Sequence, residues 1–145
     1  MINRLNYNEI NPKAVEELGS IDEHLNSIEK KLKALVELRV SQINGCPYCL
    51  DLHANQARNA GETQQRLDCL SAWKECSIFT DKECAALDWA EAVTYIGSTR
   101  APVEKYETLK AYFSEKQIVD LTFIISLMNS WNRIAISFRA TPDPQ

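Results

Sequence analysis

Apolar residues recur with helical spacing along most of the chain, and no stretch shows sustained alternation flanked by the Asn-Gly or Asp-Gly turns of hairpins. The pattern predicts an all-α fold. Pro12 stands where a first helix would begin, leading into Ala14, Val15, Leu18 and Ile21, with Gly19 weakening its middle. A second helix is expected over Leu25 to Ile43, with Ile28, Leu32, Leu35, Val36 and Val40 as its buried stripe. Asn44-Gly45 tolerates left-handed backbone angles and should end it.

Pro47 is acceptable only in the first turn of a new helix, where its missing N–H would have had no partner, so Cys46 falls at or beside the N-cap. That helix should reach Ala60, with Gly61 closing it. Thr63 can cap the next, whose apolar side holds Leu67, Leu70 and Trp73. Thr80-Asp81-Lys82-Glu83 and Ser114-Glu115-Lys116-Gln117 are capping boxes. The first opens a helix with Ala86, Trp89, Ala90 and Val93, and the second opens a long terminal helix with Ile118, Leu121, Ile125, Met128 and Ala135. Between them, Pro102 starts a short helix through Phe113. Only the tail Thr141-Pro142-Asp143-Pro144-Gln145 looks frayed. With no linker, repeat or low-complexity segment in view, residues 1–145 are expected to form one domain.

Composition narrows the function classes. A net charge of −4 and the lack of any dense run of Lys and Arg argue against a nucleic-acid groove. The patch Glu29-Lys30-Lys31-Leu32-Lys33 is read as a solvated helical face. The stretch Leu121 to Trp131 is too short and too polar to span a bilayer, so no membrane partner is expected. The amino terminus, Met1 to Glu9, lacks the apolar core of an export signal, which makes the cytoplasm the default location.

Five cysteines in such a compartment should be mostly reduced, and an odd number cannot all pair within one molecule. Cys69, Cys76 and Cys84 fit packing positions. Cys46, Cys49 and His53 differ, because spacings of three and four bring them onto one helical face over two turns. Free cysteine has a pKa near ~8.5 and needs activation to act as a thiolate. The helix start acts mainly on Cys46, whereas His53, one turn beyond Cys49, can serve as base or imidazolium partner. Cys49 is therefore the candidate nucleophile and Cys46 its resolving partner. The alternative is a non-catalytic zinc-binding or redox-sensing oligomer using Cys46, Cys49 and His53, since two thiolates and an imidazole supply three zinc ligands and leave one position open. His24 lies far off on a polar face and is read as solvated.

The stretch from Leu38 to His53, with Ala57-Arg58, Gly61 and Arg66-Leu67, closely resembles the alkylhydroperoxidase AhpD-like branch of the carboxymuconolactone decarboxylase family. Ala86 to Thr94 is similar to that branch's next helical signature, so the resemblance covers about residues 35 to 94 and weakens through the terminal helix. It implies an all-α fold built around an antiparallel helical pair, assembled as a trimer or hexamer. It also implies hydroperoxide reduction without a bound cofactor: Cys49 attacks, Cys46 resolves as a disulfide, His53 assists proton transfer, and a lipoyl or thioredoxin-like dithiol recycles the pair. The family's peroxidases carry a relay glutamate twelve residues before the first cysteine, where this chain has Ala34. Glu37, near the same helical face, is the candidate replacement. Members named for decarboxylation use a different site, and that activity is not carried over. Tyr48 is expected to pack as an aromatic, with shielding of the thiols or lining of a substrate path as the alternative. Asn44 and Ser41 could orient the site by hydrogen bonds, although helix termination and capping are sufficient explanations.

Overall fold

The computed structural model describes residues 4–144, so the first three positions of the amino-terminal stretch and Gln145 of the tail lie outside it. Among the described residues every regular element is helical: α1 (Tyr7–Ile10), α2 (Pro12–Ser20), a 3-10 segment (Ile21–His24), α3 (Lys30–Asn44), α4 (Pro47–Asn59), α5 (Gln64–Cys69), a second 3-10 segment (Leu70–Glu75), α6 (Asp81–Thr94), α7 (Ile96–Thr99), α8 (Val103–Lys110) and α9 (Glu115–Phe138). No helix among them is long and apolar enough to cross a membrane.

The punctuation expected from sequence is present as hydrogen bonds. Both capping boxes form, Thr80 with Glu83 and Ser114 with Gln117, and Thr63 Oγ1 accepts the Arg66 N–H. Gly45 ends α3 at φ 68°, a left-handed angle that costs a Cβ-bearing residue roughly 1–2 kcal/mol. Two short helices, α1 and α7, were not expected; four-residue segments carry too little periodicity to announce themselves.

The second expected helix is shorter than its periodicity suggested. Leu25 and Ile28 are buried as anticipated, yet the helix begins only at Lys30. Tertiary hydrogen bonds take up the backbone in between: the Ser27 N–H and hydroxyl donate to Asp120, and Gln117 Nε2 donates to the Ser27 carbonyl. A backbone satisfied from α9 has no need of a helical turn.

Helix α3 is the hub of the molecule, packed against α4, α6 and α9. One face, with Leu32, Val36 and Val40, joins Trp89, Ala90, Leu121 and Ile125 in the larger core. Another, with Ala34, Leu35 and Leu38, meets Ala57, Leu70, Trp73 and Leu87 in a second core. Burial on two sides explains why a single amphipathic stripe understated this helix. Cys69, Cys76 and Cys84 are half-buried against the second core, consistent with the packing expected of them. His24 is exposed on its 3-10 turn.

Candidate functional site

The break at Gly45 and the restart at Pro47 set the first two functional side chains. Cys46 is the N-cap of α4 with extended backbone angles, and its Sγ accepts the Cys49 N–H at 3.3 Å. The two cysteines are joined as a disulfide, with Cα atoms 5.3 Å apart, within the range a disulfide requires. Both are buried, Cys46 completely beside Ala135 of α9 and Cys49 at 3% exposure, but only Cys49 lines a cavity of about 670 Å³ bordered by residues of α1, α2, α3, α4 and α9.

His53 and Glu37 line the same cavity, so all but one of the sequence-derived candidates share it and Cys46 stands directly behind. His53 Nδ1 lies 2.9 Å from Gln56 Oε1 and 3.5 Å from Glu37 Oε2. An amide oxygen can only accept, so Nδ1 carries the proton and Nε2 holds the lone pair of a neutral ring.

A contact of 3.5 Å between imidazole and carboxylate suggests an ion pair, but burial works against both charges. It lowers the His53 pKa below its usual value, opposed in part by the hydrogen bond to Gln56. It raises Glu37 to about 7, opposed in part by Lys33. Burial is the larger influence on each group, and the pair is best described as a neutral imidazole beside a carboxyl that is half protonated near neutral pH. Such a pair can accept one proton and donate another without building net charge in a low-dielectric pocket.

Several participants escaped the sequence reading. Gln56, three residues after His53 on α4, fixes the imidazole; its helical spacing was the available signal. Lys30 and Lys33 line the cavity, with Lys33 paired to Asp22 at 2.5 Å, so the lysine patch is not simply a solvated face. Tyr48 is 41% exposed and borders the cavity, which agrees with the alternative of lining a substrate path and not with the aromatic packing favoured for it.

Asn44 and Ser41 do more than end a helix. Asn44 Nδ2 donates to Asn129 Oδ1 and Asn132 Oδ1, both at 2.9 Å, and Asn132 Nδ2 donates to Ser41 Oγ at 3.1 Å. Asn132 is completely buried, and this network ties the last turn of α3 to α9 immediately before the cysteine pair. Asn132→Ala should therefore cost about 2–3 kcal/mol, through a cavity and a Ser41 hydroxyl that loses its donor. Urea denaturation checks this, and a loss below about 0.5 kcal/mol would remove the network as a structural element.

Residues 12–92 match the carboxymuconolactone decarboxylase family. The uncharacterized protein YdfG of Bacillus subtilis is 42% identical over 139 residues, covering 94% of this chain and 95% of YdfG. The chain belongs to the carboxymuconolactone decarboxylase family. Within the family its fold is AhpD-like. A crystal structure of a protein of unknown function from Agrobacterium tumefaciens, provisionally named an AhpD antioxidant defence protein, superposes with a TM-score of 0.96 at 36% identity, covering 99% of this chain and all 100% of that one. The debrominase Bmp8 shares the fold alone, with a TM-score of 0.77 at 19% identity, covering 93% of this chain and 74% of the debrominase.

Proposed function

We propose that this family member is a thiol-dependent peroxidase that reduces hydroperoxides through Cys49 and Cys46 in the cytoplasm. The observation that carries the proposal is the asymmetry of the cysteine pair: Cys49 lines a cavity shared with a neutral imidazole and a half-protonated carboxyl, and Cys46 does not. His53 takes the Cys49 proton, and the thiolate attacks the terminal oxygen of R–O–O–H. An S–O bond forms, the O–O bond breaks, and the alkoxide leaves as an alcohol with a proton from the His53–Glu37 pair. The Cys46 thiol then displaces water from the sulfenic acid to form the disulfide. A dithiol, lipoyl or thioredoxin-like, returns two electrons and two protons.

One equivalent of hydrogen peroxide added to reduced protein should join Cys46 to Cys49 and leave Cys69, Cys76 and Cys84 open to alkylation. Turnover should require an added dithiol. A different dominant bridge on peptide mapping, or no dithiol-dependent peroxide loss, would refute the proposal.

The same proposal includes a homo-oligomer, a trimer or hexamer. Val119 and Phe123, on the outer side of α9, are 53% and 52% exposed, apolar surface that a second copy would cover. Light scattering should show a species larger than 16.5 kDa, and a stable monomer at micromolar concentration would exclude assembly.

A further inference from the structure

Glu37, His53 and Cys49 line the cavity together with Lys30, an exposed residue on the first turn of α3. Seven residues of helix separate Lys30 from Glu37, roughly 10 Å at the usual rise. Apolar side chains make up much of the remaining lining, with Val15 from α2, Leu52 from α4, and Leu127, Met128 and Trp131 from α9, beside the polar Asn8, Gln56 and Asn59.

The charges facing this space are Asp22, Lys30, Lys33 and Glu37, with His53 as the remaining titratable side chain besides the tyrosines and Cys49. Lys33 is neutralised by Asp22. Lys30 makes no ion pair among the described residues, and Glu37 loses much of its negative charge through burial. Lys30 is thus an unpaired cation on the cavity lining, among the described residues of a chain whose net charge is −4. About 670 Å³ also far exceeds what hydrogen peroxide occupies and falls in the range of cavities that hold organic ligands.

We infer that the cavity binds an amphipathic anion, a medium-chain carboxylate whose head group meets Lys30 and whose apolar chain runs along the α9 wall toward Cys49. A chain of about eight carbons spans the roughly 10 Å of helix rise between Lys30 and Glu37. Where this inference rests on the peroxidase proposal, the substrate is a hydroperoxide carrying a carboxylate at the far end of its chain. Ligand recognition itself requires no thiol chemistry.

Octanoate and 1-octanol serve as unreactive probes of equal length in calorimetric titrations of the intact protein, without peroxide. Octanoate should bind at least tenfold more tightly than octanol. Lys30→Glu should bring that ratio to one or below, and Lys30→Arg should preserve it. Glutamate suits the first turn of a helix, so the charge reversal is compatible with folding. A ratio below twofold in the unaltered protein, or one unchanged in Lys30→Glu, overturns the inference. Octanoate preference without peroxide turnover would leave the binding site standing and fail the peroxidase proposal. Turnover without octanoate preference would do the reverse.

Discussion

Cys49→Ser should abolish peroxide consumption, with a loss of roughly a thousandfold or more, because no other thiol combines access to the cavity with a neighbouring base. Cys46→Ser should behave differently. Its Cys49 still meets the cavity, so the first equivalent of peroxide is consumed and the product stalls as a sulfenic acid that a dimedone-type probe labels. Two effects compete for the attacking sulfur. Cys46 at the N-cap gains the helix-start field, worth about 0.3–1 kcal/mol in exposed settings, and the Cys49 N–H is directed at its sulfur. Yet its sulfur is wholly buried, and a thiolate that substrate cannot reach does not attack. Because burial lowers the His53 pKa, that ring acts as a neutral base, and His53→Ala should slow the attack and raise the pH at which Cys49 alkylates. Labelled Cys46 in the Cys49→Ser protein, with a first turnover at the unaltered rate, would reverse the two roles.

Glu37→Gln should stabilise the protein by about 3 kcal/mol at pH 8 and by almost nothing at pH 4. Burial raises the Glu37 pKa from 4.5 to about 7, the shift that sets this size. Below pH 4.5 the carboxyl is protonated in both folded and unfolded chains, so it carries no cost. Between 4.5 and about 7 the unfolded chain ionises first, and stability falls as pH rises. Above about 7 both states are ionised and the full cost persists. Glutamine keeps the shape without the charge, which makes the difference between variants a direct reading of the buried carboxylate. Urea midpoints at the two pH values provide the measurement. An equal change at both would mean that Glu37 titrates normally and is not part of a shared-proton pair.

A stored cost of that size has a physical counterpart in the site. The carboxyl is held beside His53 on the cavity side of a helix that packs against both cores. Position 34, where the family places its relay glutamate, is occupied by a buried alanine that also lines the cavity. Glu37 reaches the imidazole from the next turn of the same helix, which supports the proposal that it takes the relay's part.

Capping boxes, the Gly45 stop, Pro47 in a first turn and the three-and-four spacing of Cys46, Cys49 and His53 were all legible, because each is local chemistry within a few residues. The true start of α3 was not legible, because it depends on Asp120 and Gln117 some ninety residues away. The same holds for Asn132, which in the sequence is a polar interruption of an apolar helix and in the fold is the buried partner of Ser41 and Asn44. By itself, then, the sequence determined the helices and which sulfurs and nitrogen share a face, since backbone sterics and hydrogen bonding act over single turns. Only the tertiary structure decided which cysteine lines the cavity, that Glu37 is half protonated there near neutral pH and that Lys30 shares its lining, since burial and long-range fields arise only when α3, α4 and α9 are packed together.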